Sequence, residues 1–103
     1  MKNIRLSKSC IGQEEIDAVT DVLKREYLGM GQDVYRFESE LTEFFGRNVT
    51  LVNTGTAALH LAVQGAGVKE GDEVLVQSLT YVACFQAIRA TGGVPIACEV
   101  RKD

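Results

Sequence analysis

At Val49 the apolar residues of this chain stop recurring at helical spacing and begin to fall in short β-branched runs, a switch that restricts the folds open to it. Upstream, Gln13 to Glu26 places Ile16, Val19, Val22 and Leu23 on one helical face. Glu14, Glu15 and Asp17 lie in its opening turns, where the helix dipole favours negative charge. Leu28-Gly29-Met30-Gly31 follows, with glycines able to end a helix and take positive φ. Val34, Phe37, Leu41 and Phe44 then carry a second helix as far as Gly46.

Downstream, Val49-Thr50-Leu51-Val52 reads as a strand running straight into Asn53-Thr54-Gly55-Thr56, a turn with several residues able to cap a helix. Ala57 to Val63 has almost no polar face, so the helix it forms is expected to be buried, ending at Gly65 and Gly67. Val74-Leu75-Val76 is the next strand, Tyr81 to Thr91 the next helix, and Val94 to Cys98 a third strand, with Pro95 tolerated near its start. Strands alternating with helices build parallel sheets, so the fold class is α/β, with residues 1–47 as leading helices and 48–103 as the start of a parallel-type sheet. The order stops after the third strand without a helix to close the sheet, which is the expectation for part of a larger domain.

Composition narrows the function classes. With 46% hydrophobic and 24% charged residues the chain has the profile of a globular protein rather than a disordered one. A net charge of −3 without clustered Lys or Arg gives no pull toward nucleic acid or anionic lipid. Apolar runs are too short for a spanning helix and no secretory leader pattern is present, so the expected location is the cytoplasm. Cys10, Cys84 and Cys98 are odd in number and widely spaced, with His60 the one imidazole, so neither a disulfide framework nor a metal site is expected. The thiols are expected to be reduced and mostly buried, and His60 to be a satisfied core residue.

Two turns could carry chemistry. Val52 to Ala58 joins a strand to a helix amino end, where unpaired N–H groups and the dipole attract an anion. Gly55 would let the anion approach the backbone, and the hydroxyls of Thr54 and Thr56 would suit a dianionic phosphate. On the pattern alone a simpler account is available, in which Thr54 or Thr56 caps the helix and Gly55 makes the turn. The second turn, Gln77 to Ala83, also follows a strand, and Tyr81 there is either a packing residue or a ring able to stack on a flat heteroaromatic ligand.

Gly-Gln-Asp-Val-Tyr-Arg-Phe-Glu from Gly31 and Asn-Thr-Gly-Thr-Ala-Ala-Leu-His-Leu from Asn53 resemble the opening of the DegT/DnrJ/EryC1/StrS family of sugar aminotransferases. Gly71 to Val76, Ser78 to Ala83 and Gly92 to Pro95 continue the resemblance in order, over nearly the whole chain. Gln77 departs from it, standing where the family usually has Pro.

The resemblance implies the amino-terminal part of the large domain of a type I, aspartate aminotransferase-like transferase that uses pyridoxal 5'-phosphate (PLP). It further implies that Gly55, Thr56 and Ala57 hold the cofactor phosphate and that Tyr81 stacks on its ring. The lysine that bonds the cofactor and the acid that keeps its ring nitrogen protonated are expected beyond Asp103, so no catalytic residue is assigned among Lys2, Lys8, Lys24, Lys69 or Lys102. The implied partners are a nucleotide-linked keto sugar, an amino acid donor such as glutamate and a second subunit, in cell-surface polysaccharide biosynthesis. The alternatives are a dehydratase of the same family and a free-standing α/β module that binds a phosphorylated ligand without catalysis.

Overall fold

The computed structural model describes residues 7–101, which fall into two compact units that divide between Val49 and Thr50.

The first unit holds helices α1, Gln13–Lys24, and α2, Gln32–Phe45. α1 starts where Gly12 donates its N–H to the Glu15 carboxylate at 2.6 Å, so a side chain from the first turn satisfies the backbone ahead of it. The helix ends two residues short of the expected Glu26. The turn that follows takes its positive φ of 55° at Glu26 itself, not at Gly29 or Gly31. Gly31 is required for a different reason: a Cβ there would lie 2.6 Å from the ring of Tyr27, so the missing side chain makes room for that ring. Arg25 bonds Asp21 at 3.0 Å and Asp33 at 2.7 Å, tying the end of α1 to the start of α2. The hydrogen bond to Asp33 holds its guanidinium above the ordinary arginine pKa. Neither helix buries a residue, and their apolar stripes stay open, with Ile16, Val19 and Leu23 on α1 and Phe37 and Phe44 on α2 all at least half exposed.

The second unit contains α3, Gly55–Gly65, β1, Glu73–Gln77, α4, Ala83–Ala90, and β2, Val94–Cys98. β1 and β2 pair in parallel, from Glu73 opposite Val94 to Gln77 opposite Cys98, and α4 is the crossover between them. Backbone bonds extend the pairing at both ends, Val94 N to Asp72 O and Ser78 N to Cys98 O, each 2.8 Å. α4 packs on α3 and on both strands, and the core is its inner face: Ala83, Ala87 and Ile88, each no more than 4% exposed. Two of the three are alanines, so the neighbouring helix can approach closely.

Four expectations are corrected here. Val49–Val52 is not a strand: among the described residues only β1 and β2 pair, and a β-branched run becomes a strand only where a neighbour completes its ladder. α3 is not buried, with Leu59 38% and Leu61 54% exposed, because among the described residues α4 is the one element it packs against. The thiols are not buried either: Cys10 is exposed and Cys84 and Cys98 are half-buried, since so small a core has little interior to offer. α4 also begins at Ala83 rather than Tyr81, which leaves Tyr81 in the turn after β1. Among the described residues no helix is long and apolar enough to cross a membrane.

Candidate functional site

The amino end of α3 is organised by Thr54. Its backbone is extended, with φ −149° and ψ 151°, and its Oγ1 accepts the N–H of Ala57 at 3.0 Å while its carbonyl accepts that of Ala58 at 3.1 Å. This is the capping geometry the sequence left open, and Thr54 rather than Thr56 supplies it. It leaves the N–H groups of Gly55 and Thr56 without an acceptor among the described residues. No carboxylate lies in the first turn of α3, unlike α1 with Glu14 and Glu15 or α2 with Asp33, so nothing in that turn offsets the positive end of its dipole.

Gly55 is not a turn glycine. Its φ is not positive, and a Cβ built on it would meet nothing of this chain within 4 Å. Neither backbone conformation nor packing within the chain therefore asks for glycine here. The space that a side chain would take is left clear in front of two free amides and two hydroxyls, which is what a tetrahedral anion needs in order to reach the backbone.

Gly55, Thr56 and Tyr81 come together. With Thr54, Leu59 and Ala62 they line an open hollow of about 750 Å³ whose floor is completed by Ala58 and Ala83. Tyr81 is 75% exposed and is fixed through its backbone, whose carbonyl accepts the N–H of Cys84 at 3.0 Å. One step further along the same turn, the Thr80 hydroxyl and the Cys84 thiol are 3.4 Å apart. Donors for an anion and a free aromatic face thus share one concavity, a combination suited to a flat ring bearing a phosphate.

Ala57 does not line this hollow. With Thr54 and Thr56, which border both, and with His60 and Gln86 it lines a second hollow of about 480 Å³, and its N–H is taken up by Thr54. His60 is half-buried and borders this second hollow, so it is not the fully buried core histidine expected. The walls contributed by Ala58, Leu59 and Ala62 were not singled out from the sequence. Their signal was present, since Gly55, Leu59 and Ala62 fall at helical steps of four and three.

The fold and the hollow together define an α/β unit in which the capped amino end of α3 opens beside an aromatic residue. The chain belongs to the DegT/DnrJ/EryC1/StrS aminotransferase family, whose model matches residues 9–103. It is 36% identical over 100 residues to dTDP-4-dehydro-2,3,6-trideoxy-D-glucose 4-aminotransferase of Saccharopolyspora spinosa, covering 94% of this chain and 26% of that one. It is 38% identical over 94 residues to the spore coat polysaccharide biosynthesis protein SpsC of Bacillus subtilis, covering 90% and 24%. Among solved structures it superposes on the Streptococcus pneumoniae protein Spr1654 in its PLP form with a TM-score of 0.84 at 31% identity, over 99% of this chain and 26% of that one. The chain thus spans about a quarter of the length of the relatives it matches.

Proposed function

We propose that these residues form the cofactor-phosphate and ring-stacking part of a PLP-dependent aminotransferase. The enzyme moves an amino group from an amino acid donor, glutamate, to a keto group of a nucleotide-linked sugar. Family membership supports the reaction class, and relatives named for sugar amination and for a PLP form support substrate and cofactor. The observation that carries the assignment within this chain is the shared hollow, which Gly55 and Thr56, whose amides find no acceptor among the described residues, line together with Tyr81.

Each residue has a distinct task. The Gly55 and Thr56 amides bind the phosphate as helix-end donors, and the absent side chain of Gly55 admits it. Ala57 belongs to the same turn through its place in the first turn of α3. Tyr81 holds the ring plane by stacking, which fixes the orientation of the reacting carbon relative to the phosphate anchor. Bound there, PLP supplies the electron sink that amino-group transfer requires. The residue that bonds the cofactor is expected beyond Asp103, Gly29 to Gly31 could border the sugar, and the enzyme is a homodimer that works in the cytoplasm.

The test is the absorbance spectrum of the full-length protein with added PLP, before and after glutamate. A cofactor band that glutamate bleaches is expected. A band unaffected by glutamate would overturn glutamate as the donor, and a protein that takes up no PLP would overturn the cofactor reading as a whole.

A further inference from the structure

We infer that the side chains of Thr80 and Cys84 are a positioning pair for Tyr81, holding the turn between β1 and α4 in the form that presents Tyr81 to the hollow. The inference rests on the ring-stacking reading above and concerns the ring alone, not the phosphate. It starts from how little else fixes Tyr81. That residue is 75% exposed, and Leu79 and Val82 in the same turn are 77% and 57% exposed, so packing within the chain does not hold them. Of residues 78–82, Thr80 alone is half-buried. Nor does a capping side chain start α4, because Val82 at the N-cap has a helical backbone, φ −55° and ψ −26°, and no side-chain oxygen to accept an amide.

Cys84 holds the turn at two points instead. Its N–H donates to the Tyr81 carbonyl at 3.0 Å, and its thiol lies 3.4 Å from the Thr80 hydroxyl, a contact in which either group can donate. Cys84 is itself half-buried and follows Ala83, which is 2% exposed, so the thiol belongs to the anchored end of α4 and Thr80 to the turn. One bond therefore fixes the carbonyl of Tyr81 and the other fixes the residue before it. Without the side-chain bond the turn keeps only the backbone one, and a ring that must be ordered on binding gives up part of its stacking energy.

Removing the pair with and without the ring separates positioning from general stability. In the full-length protein, Thr80→Val, which keeps the shape and loses the hydroxyl, is compared with Thr80→Ser, which keeps the hydroxyl, and with Cys84→Ala. Each is made in the wild type and in a Tyr81→Ala background. Binding of pyridoxamine phosphate and of pyridoxamine, which has the ring but lacks the phosphate, is measured by equilibrium dialysis. Thr80→Val and Cys84→Ala are expected to weaken both ligands alike, by about threefold to tenfold, and Thr80→Ser to bind like the wild type. In the Tyr81→Ala background these losses should vanish, because no ring remains to be positioned, whereas a general loosening of the fold would lower affinity in both backgrounds. Wild-type affinity in Thr80→Val or in Cys84→Ala would overturn the inference. So would a Thr80→Ser protein as weak as Thr80→Val, a loss that persists without the ring, or a loss confined to pyridoxamine phosphate. Should one variant not fold, the other decides by the same comparison. A Tyr81→Ala protein that binds both ligands like the wild type would instead refute the stacking reading itself, a distinct result.

Discussion

Gly92 and Glu70 meet backbone to backbone: a Cβ on Gly92 would lie 2.9 Å from the Cα of Glu70, and the Gly92 φ is 85°. The contact closes the turns that lead into β1 and β2, where Gly71 donates its N–H to the Gly92 carbonyl at 3.1 Å. Gly92→Ala combines a left-handed conformation with a clash against main chain that cannot swing aside. A loss of about 2 to 4 kcal/mol is expected, read by denaturant unfolding of the full-length protein. A change below about 0.5 kcal/mol would mean that the two turns are not held this closely.

Gly55 makes the opposite prediction. Nothing of this chain lies within 4 Å of a Cβ there, so Gly55→Ala is expected to leave the cofactor-free protein as stable as before or to raise its stability by up to about 1 kcal/mol. The methyl group would nevertheless stand where the phosphate approaches. Pyridoxamine phosphate affinity should fall at least about tenfold while that of pyridoxamine stays level. If both affinities hold, the cleared space at Gly55 does not serve the anion.

Tyr81 is exposed enough that truncation costs the fold little. Tyr81→Phe keeps the ring and is expected to retain cofactor affinity. Tyr81→Ala removes the stacking surface and should weaken pyridoxamine phosphate binding by about threefold to tenfold, with unchanged unfolding temperature. Dialysis and a melting curve on the same samples decide it, and a Phe variant as weak as the Ala variant would shift the role from the ring to the hydroxyl.

These variants also show which parts of the molecule were legible in its sequence. Val94 to Cys98 could be read as a strand because Gly92 and Gly93 bound it and β1 lies within the same short span to pair with it. Val49 to Val52 has the same β-branched character, yet composition cannot reveal whether a ladder partner is at hand, and among the described residues none of the paired strands includes it. The apolar helix α3 poses the same problem in another form: an all-round apolar surface predicts burial, but the burying must be done by neighbours, and among the described residues α4 alone packs on it. At the candidate site, the motifs singled out Gly55, Thr56 and Tyr81, and the structure brings these three to one hollow through helix spacing and the turn after β1. The commitment of the Ala57 amide to Thr54 was not, because which of two adjacent threonines caps a helix depends on backbone angles.

The alanine face of α4 works as a gauge block. Ala83 forms part of the wall beside Tyr81 and Thr54, and Ala87 backs the turn at Thr56 and Ala57, so the thickness of two methyl groups sets the gap between the helix that carries the donors and the helix that follows the ring. Ala87 is 1% exposed, and Ala87→Val would wedge the helices apart at a cost of about 1 to 3 kcal/mol. A protein that survived the wedge would hold anchor and ring slightly out of step, and a cofactor gripped at both ends would register the error as looser binding even though no atom touching it had changed.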